Sequence, residues 1–156
     1  MLATAEVGMD LEHLFDLRLQ YRTPLVVQLA WNGQGQGLGR GDGTATGRLS
    51  GSVEWVNTPP VRADAVFQPT VTGAITTEAG DTVLYQTHGL SLRPAEDEPD
   101  HRRFSTAVRF TTDADPYRWL NDVLAVEEGV IDIRDGSITT RVFATRHTVG
   151  PDGPAT

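Results

Sequence analysis

A two-residue rhythm runs along nearly the whole of this chain and restricts what it can fold into. From His13 to Tyr21 the odd positions read His13, Phe15, Leu17, Leu19 and Tyr21, with Asp16, Arg18 and Gln20 between them. Successive side chains of an extended strand point to opposite faces, so the pattern predicts a half-buried strand. Leu25 to Trp31 repeats it with Leu25, Val27, Leu29 and Trp31, and Arg22-Thr23-Pro24 reads as a turn that lets the two runs pair. Short runs rich in threonine and valine follow, among them Gly51 to Asn57, Arg62 to Phe67, Thr70 to Thr77, Thr82 to Leu90 and Phe104 to Thr112. Val123 to Glu127, Val130 to Arg134 and Ile138 to Thr145 complete the series, the last two joined by an Asp135-Gly136 hairpin turn. Asp115-Pro116 opens one helical turn over Tyr117 to Asn121. So many short strands predict an all-β fold, an antiparallel barrel or a sandwich of about 8–10 strands.

One stretch breaks the rhythm of side chains without breaking the rhythm of positions. In Asn32 to Gly43, NGQGQGLGRGDG, every second residue is glycine. So little side chain reads as a mobile loop, either a plain connection or a lid presenting Gln34, Gln36, Leu38 and Arg40 to a ligand. It is no dinucleotide fingerprint, because no helix follows it. The polar run from Ser91 to Arg103 reads as a solvated connection. The 156 residues suit a single domain, expected over 11–146 between a flexible N-terminus, 1–10, and a disordered tail, 147–156.

Composition then removes whole reaction classes. The chain has no cysteine, and all 13 of its basic residues are arginine. Thiol nucleophiles, zinc-thiolate sites and Schiff-base lysines are therefore impossible. The four histidines, His13, His88, His101 and His147, share no ligand spacing, so no metal site is expected. A net charge of -8 without a basic block argues against nucleic acid. With no apolar span or signal at the start, no membrane partner is expected and the protein is expected to be cytoplasmic.

Carboxylates, aromatic rings and shape remain. Glu54 faces opposite to Val53 and Trp55; it is either a solvated edge residue or, in a barrel whose polar face lines the lumen, a desolvated carboxylate suited to proton transfer. Asp64 offers the same choice. Tyr85 is the second candidate for proton transfer or hydrogen bonding, and His88, on the same strand, is a candidate for the cavity wall. Trp31, Trp55, Tyr85 and Trp119 are expected to shape a cavity, and Asn121 to cap the turn beside it.

Asp115-Pro116-Tyr117-Arg118-Trp119-Leu120-Asn121 resembles the Y-x-W-L-N turn of the bacterial family called domain of unknown function 3237. Phe104 to Thr112 (FSTAVRFTT) is similar to that family's preceding strand, and Glu78 to Leu90 (EAGDTVLYQTHGL) to its D-D-G-x-x-I-Y-x-x-x-G hairpin. Leu11 to Leu19 matches its opening strand, and Gly43 to Gly51 its Gly-punctuated segment. The resemblance implies a small calycin-like barrel, often dimeric, with a cavity at its mouth and no tightly bound cofactor. Ser105, Val108 and Thr111 depart from the family's usual arginine, proline and glutamate. By analogy of fold, related small barrels act as cyclases and isomerases in natural-product pathways.

These readings combine into an expected function. With no cofactor, a cyclase or isomerase would hold a largely apolar small molecule, such as a polyketide- or terpenoid-like intermediate, in a reactive geometry with limited acid-base assistance. A non-catalytic carrier barrel and a lactone-type hydrolase are the alternatives. Val26, Leu84 and Val126 face outward yet are apolar, so a homodimer is the expected assembly.

Overall fold

The computed structural model describes residues 9–147, 149–151 and 153–154. Its strands are β1 (Leu11–Leu29), β2 (Gly35–Gly47), β3 (Gly51–Asn57), β4 (Pro60–Val61), β5 (Thr70–Thr76) and β6 (Thr82–Ser91), then β7 (His101–Thr111), β8 (Leu124–Asp132) and β9 (Ser137–Thr145). A 3-10 helix over Asp115–Asp122 joins β7 to β8. All pairings are antiparallel, in the order β1-β9-β8-β7-β6-β5-β3-β2, and β1 also pairs with β2. The sheet thus closes on itself as an eight-stranded antiparallel barrel, with the two-residue β4 added beside the start of β2. Closure leaves the barrel wall without the open edges that invite aggregation.

The expected turn at Arg22-Thr23-Pro24 is not one. β1 runs straight through it as 19 residues, and its two halves both pair with β2 rather than with each other. Register shifts between Tyr21 and Thr23, and between Thr23 and Val26, accommodate the proline, whose missing N–H a regular ladder cannot use. Likewise most of Val123 to Glu127 and of Val130 to Arg134 belongs to the single strand β8, while Arg62 to Phe67 is mostly loop, with two isolated bridges from Phe67, to Val61 and to Ser91. The Asp135-Gly136 turn is present, with Gly136 at φ 73°.

The glycine stretch is also corrected: apart from a turn at Asn32 to Gln34 it is strand β2, neither a loose loop nor a lid. Its bare positions are occupied by rings from the neighbouring strands. Gly41 lies between Tyr21 of β1 and Trp55 of β3, Trp55 lies opposite Gly73 of β5, and Gly73 lies opposite Tyr85 of β6. Around this half of the barrel, therefore, a large ring alternates with a glycine, which is how a small barrel fills its interior without overfilling it. Phe104 of β7 lies over Gly129 of β8 in the same manner. Tyr21 and Trp55 also meet edge to face at 4.6 Å between ring centres, and the Trp55 indole N–H donates to the Asp42 carbonyl at 3.2 Å.

One end of the barrel is sealed by Leu14, Leu49 and Leu120, each 1% exposed. The 3-10 helix forms part of that seal, with Pro116 in its first turn. The opposite end, where β7 begins and β8 ends, is the mouth. The expectation of a flexible N-terminus falls mainly on residues 1–8, outside the described residues. In the tail, where no order was expected, Val149–Gly150 pairs with Gly153–Pro154.

Side chains at the glycine positions should overfill the barrel. A Cβ at Gly39 would stand 2.6 Å from the Tyr21 ring and one at Gly37 2.9 Å from Pro59, while one at Gly41 would collide with the Gln20 carbonyl. Thermal melts of G41A and of the G37A/G39A double variant should show destabilisation of about 1–3 kcal/mol per site. Unchanged melting would show that β2 is not packed in this way.

Candidate functional site

The alternation that builds the strands also decides which side chains see the interior. On β8 the inward row is Ala125, Glu127, Gly129 and Ile131; on β7 it is Arg102, Phe104, Thr106, Val108 and Phe110. A carboxylate and an arginine thus occupy positions where a barrel of this size ordinarily carries apolar groups.

Glu127 sits in the lumen, only 6% exposed. Its two carboxyl oxygens accept one hydrogen bond each, from the hydroxyls of Thr106 and Thr140, both at 2.8 Å. Leu19, Trp55, Val71, Phe104 and Ile138 are among the residues around the same space, and no cationic group lines it among the described residues. Burial therefore pushes the carboxyl above its ordinary value of 4.5, and the two threonine hydrogen bonds offset only part of that. Tyr85 lines the same space, 3% exposed, and its hydroxyl has no hydrogen-bond partner among the described residues. Burial first, and the Glu127 charge second, raise the phenol's pKa, so Tyr85 is a donor at neutral pH.

The lumen around Glu127 and Tyr85 is tight, about 40 Å³. Above it the mouth opens into a cavity of about 490 Å³. Tyr21, Asn57, Pro69 and Ile131 line both spaces, so they stand at the boundary where the two adjoin. Asn57 holds that boundary in shape: its side-chain amide N–H donates to the Tyr21 hydroxyl at 3.0 Å, and its side-chain carbonyl accepts the Thr70 backbone N–H at 3.0 Å.

Of the residues singled out in the sequence, Tyr85 and Trp55 lie in this interior, and the others lie elsewhere. Glu54 takes the solvated alternative, exposed on the outer wall opposite Asp42 and Ala74, because β3 turns Val53, Trp55 and Asn57 inward. Asp64 is exposed in the loop after β4, paired with Arg62, which holds its carboxyl below the usual range. His88 is exposed on the outer face of β6, since Tyr85 and Thr87 take the inward positions. Trp31 stands 98% exposed in the turn after β1, where no strand remains to turn it inward. Trp119, half-buried under the Arg48 guanidinium at 4.3 Å from its ring centre, and Asn121, which bonds both backbone groups of Thr112, belong to the sealed end. Glu127 was missed because the run was cut there; its signal was parity with Ala125 and the threonine opposite it in the Phe104-Thr106-Val108 row.

The family model for "Protein of unknown function (DUF3237)" matches residues 9–145. The chain belongs to this family. No curated protein matches it. Among solved structures, a β-barrel-like protein from Acinetobacter baumannii is similar with a TM-score of 0.77 and 17% identity, covering 92% of this chain and 99% of that one. A conserved protein of unknown function from Rhodopseudomonas palustris gives 0.76 at 18% identity, covering 89% and 99%. An enzyme from Penicillium herquei gives 0.66 at 21% identity, covering 93% and 100%. These likenesses establish the shared barrel fold. No helix among the described residues is long and apolar enough to cross a membrane.

The raised carboxyl has a consequence for stability. A group whose pKa is higher in the folded than in the unfolded chain stabilises fully below the unfolded value, and that stability is lost as pH rises through the folded value. Glu127 should therefore make the wild type progressively less stable from about pH 4.5 upward. E127Q, which keeps the shape without the charge, should melt higher than the wild type at neutral pH, with the gap closing toward pH 4. A gap that is constant with pH would mean the carboxyl is not desolvated.

Proposed function

We propose that this protein is a cofactor-independent cyclase or isomerase that binds a largely apolar small molecule at the barrel mouth and acts on it by proton transfer. The observation that carries the reading is the buried Glu127 carboxyl, favoured in its neutral form, beside the unpartnered Tyr85 hydroxyl. A neutral carboxylic acid can deliver a proton to a carbon or oxygen of the substrate and take one back from another of its atoms. The substrate then gains and loses nothing, and no co-reactant is needed. Tyr85, held as a phenol, would stabilise negative charge developing on a substrate oxygen. The apolar walls exclude water and hold a flexible chain in one reactive shape. That one structurally similar barrel, from Penicillium herquei, is described as an enzyme supports placing this one among catalysts.

The expected homodimer is proposed with this reading. Val26 and Leu38 pair across β1 and β2 with both side chains 57% exposed, and Leu84 is 49% exposed, so the outer wall offers apolar surface for a second copy.

Incubation with polyketide- and terpenoid-type intermediates should yield a product of unchanged mass. E127Q should slow its formation by about 10²–10⁴-fold and Y85F by up to about 10²–10³-fold, while E54Q leaves the rate unchanged. Binding without any rate enhancement would identify a carrier, and a product heavier by one water a lactone-type hydrolase. Full activity in E127Q would remove the proposed mechanism.

A further inference from the structure

Three buried polar side-chain atoms have no hydrogen-bond partner among the described residues: the Tyr85 hydroxyl, the Ser91 hydroxyl and the Arg102 Nε. All three residues line these two adjoining spaces, Tyr85 in the lumen, Ser91 and Arg102 in the mouth. Buried polar groups are almost always satisfied in folded proteins, so orphans gathered along one cavity indicate a ligand that supplies what they lack.

The two mouth residues are built into place. Arg102 extends the inward row of β7 beyond Phe104, and Ser91, 2% exposed, is the register partner of Phe104 on β6. Phe67 connects them: its backbone exchanges both hydrogen bonds with Ser91, and its ring lies 4.4 Å beneath the Arg102 guanidinium. One Arg102 Nη donates to the Ala65 carbonyl at 2.9 Å, which fixes the plane of the guanidinium. Among the described residues no carboxylate pairs with it. The other cations of the mouth are already paired, Arg134 with Asp132 at 2.7 Å and Arg22 with Asp42 at 2.9 Å, while the Asp135 carboxylate accepts the Ser137 backbone N–H at 2.8 Å. Arg102 is therefore a half-buried, uncompensated cation at the entrance of an apolar cavity, on a chain whose net charge is -8. Such a charge is costly to keep dehydrated unless an anion meets it.

We propose that the mouth recognises a carboxylate or similar oxyanion on its ligand through the Arg102 guanidinium and the Ser91 hydroxyl, with the apolar body of the ligand directed toward the lumen. The recognition shares its cavity with the proposed reaction but not its chemistry, and holds equally for a ligand that is converted or only carried.

Two fluorescent probes with the same apolar body separate charge from shape: anilinonaphthalene sulfonate, an anion, and N-phenylnaphthylamine, which is neutral. The wild type should bind one sulfonate probe per chain, and more tightly than the neutral one. R102Q should weaken the sulfonate probe about tenfold or more, because hydrogen bonds to charged groups are the strong ones, while changing the neutral probe less than twofold. S91A should weaken the sulfonate several-fold, and R102K should retain part of its binding without the planar fork. R109Q, which removes an equal charge from the exposed face of β7, should leave both probes unchanged. Equal loss of both probes in R102Q, no loss of either, or a wild type that binds the two equally would overturn the proposal. The wild-type comparison stands even if R102Q does not fold. Turnover is measured separately, so a failure of the proposed chemistry would leave this result intact.

Discussion

The structure depends on rings meeting glycines inside a closed wall. Tyr21, Gly41, Trp55, Gly73 and Tyr85 occupy neighbouring register positions on five successive barrel strands, and Trp55 takes the space a Cβ at Gly41 would need, Tyr85 that of Gly73 and Tyr21 that of Gly39. The steric fit lets a chain with modest aromatic content fill the interior of an eight-stranded barrel. It also surrounds Glu127 with Leu19, Trp55, Phe104 and Ile138 and leaves a lumen of only about 40 Å³ beside it, so the carboxyl is largely desolvated. The desolvated carboxyl is thus a consequence of how the rings pack, and the proposed chemistry follows from the desolvation.

The interior is graded along its axis. The sealed end is plugged by Leu14, Leu49 and Leu120, the middle holds one carboxyl with its two threonines and one phenol, and the mouth carries arginines and aspartates over an apolar lining. A ligand entering this gradient has a preferred direction, polar end outward and apolar end inward. Such orientation would contribute to the proposed catalysis, because it would fix which atoms approach the acid. The Tyr21–Asn57 bond lies at the boundary between the two spaces.

Much of the barrel was legible in the sequence because period-two alternation is a direct image of one face being buried. Leu17 and Leu19, Val53 and Trp55, and Phe104, Val108 and Phe110 each share one face by that alternation, and in the structure that face is the buried one. Failures arose where the image is faint. In β2 the inward side chains are hydrogen atoms, so a packed strand looked like a flexible loop. In β1 a proline inside a long strand looked like its end, and the register shifts that absorb it leave no mark in residue types. Glu127 and Arg102 were hidden by their own polarity: a charged residue inside an alternating run reads as the run's boundary, and only the pairing of β7 with its neighbours shows that the run continues. Glu54 was the more visible carboxylate because it sits between apolar residues, yet that same parity turns it outward. Trp31 and Trp119 show that an aromatic residue beside a strand does not belong to the cavity until the strand's extent and the end of the barrel are known.

The central claim is that burial in the barrel lumen raises the Glu127 carboxyl above the ordinary carboxylate range. The direct measurement is a carbon-13 NMR titration of glutamate side-chain carboxyls, with the Glu127 signal assigned by its absence in E127Q. The Glu127 resonance should titrate with a midpoint clearly above 4.5, the ordinary value from which burial displaces it. A midpoint at or below that value would contradict the account, because it would show a carboxylate that is hydrated or paired rather than buried among rings.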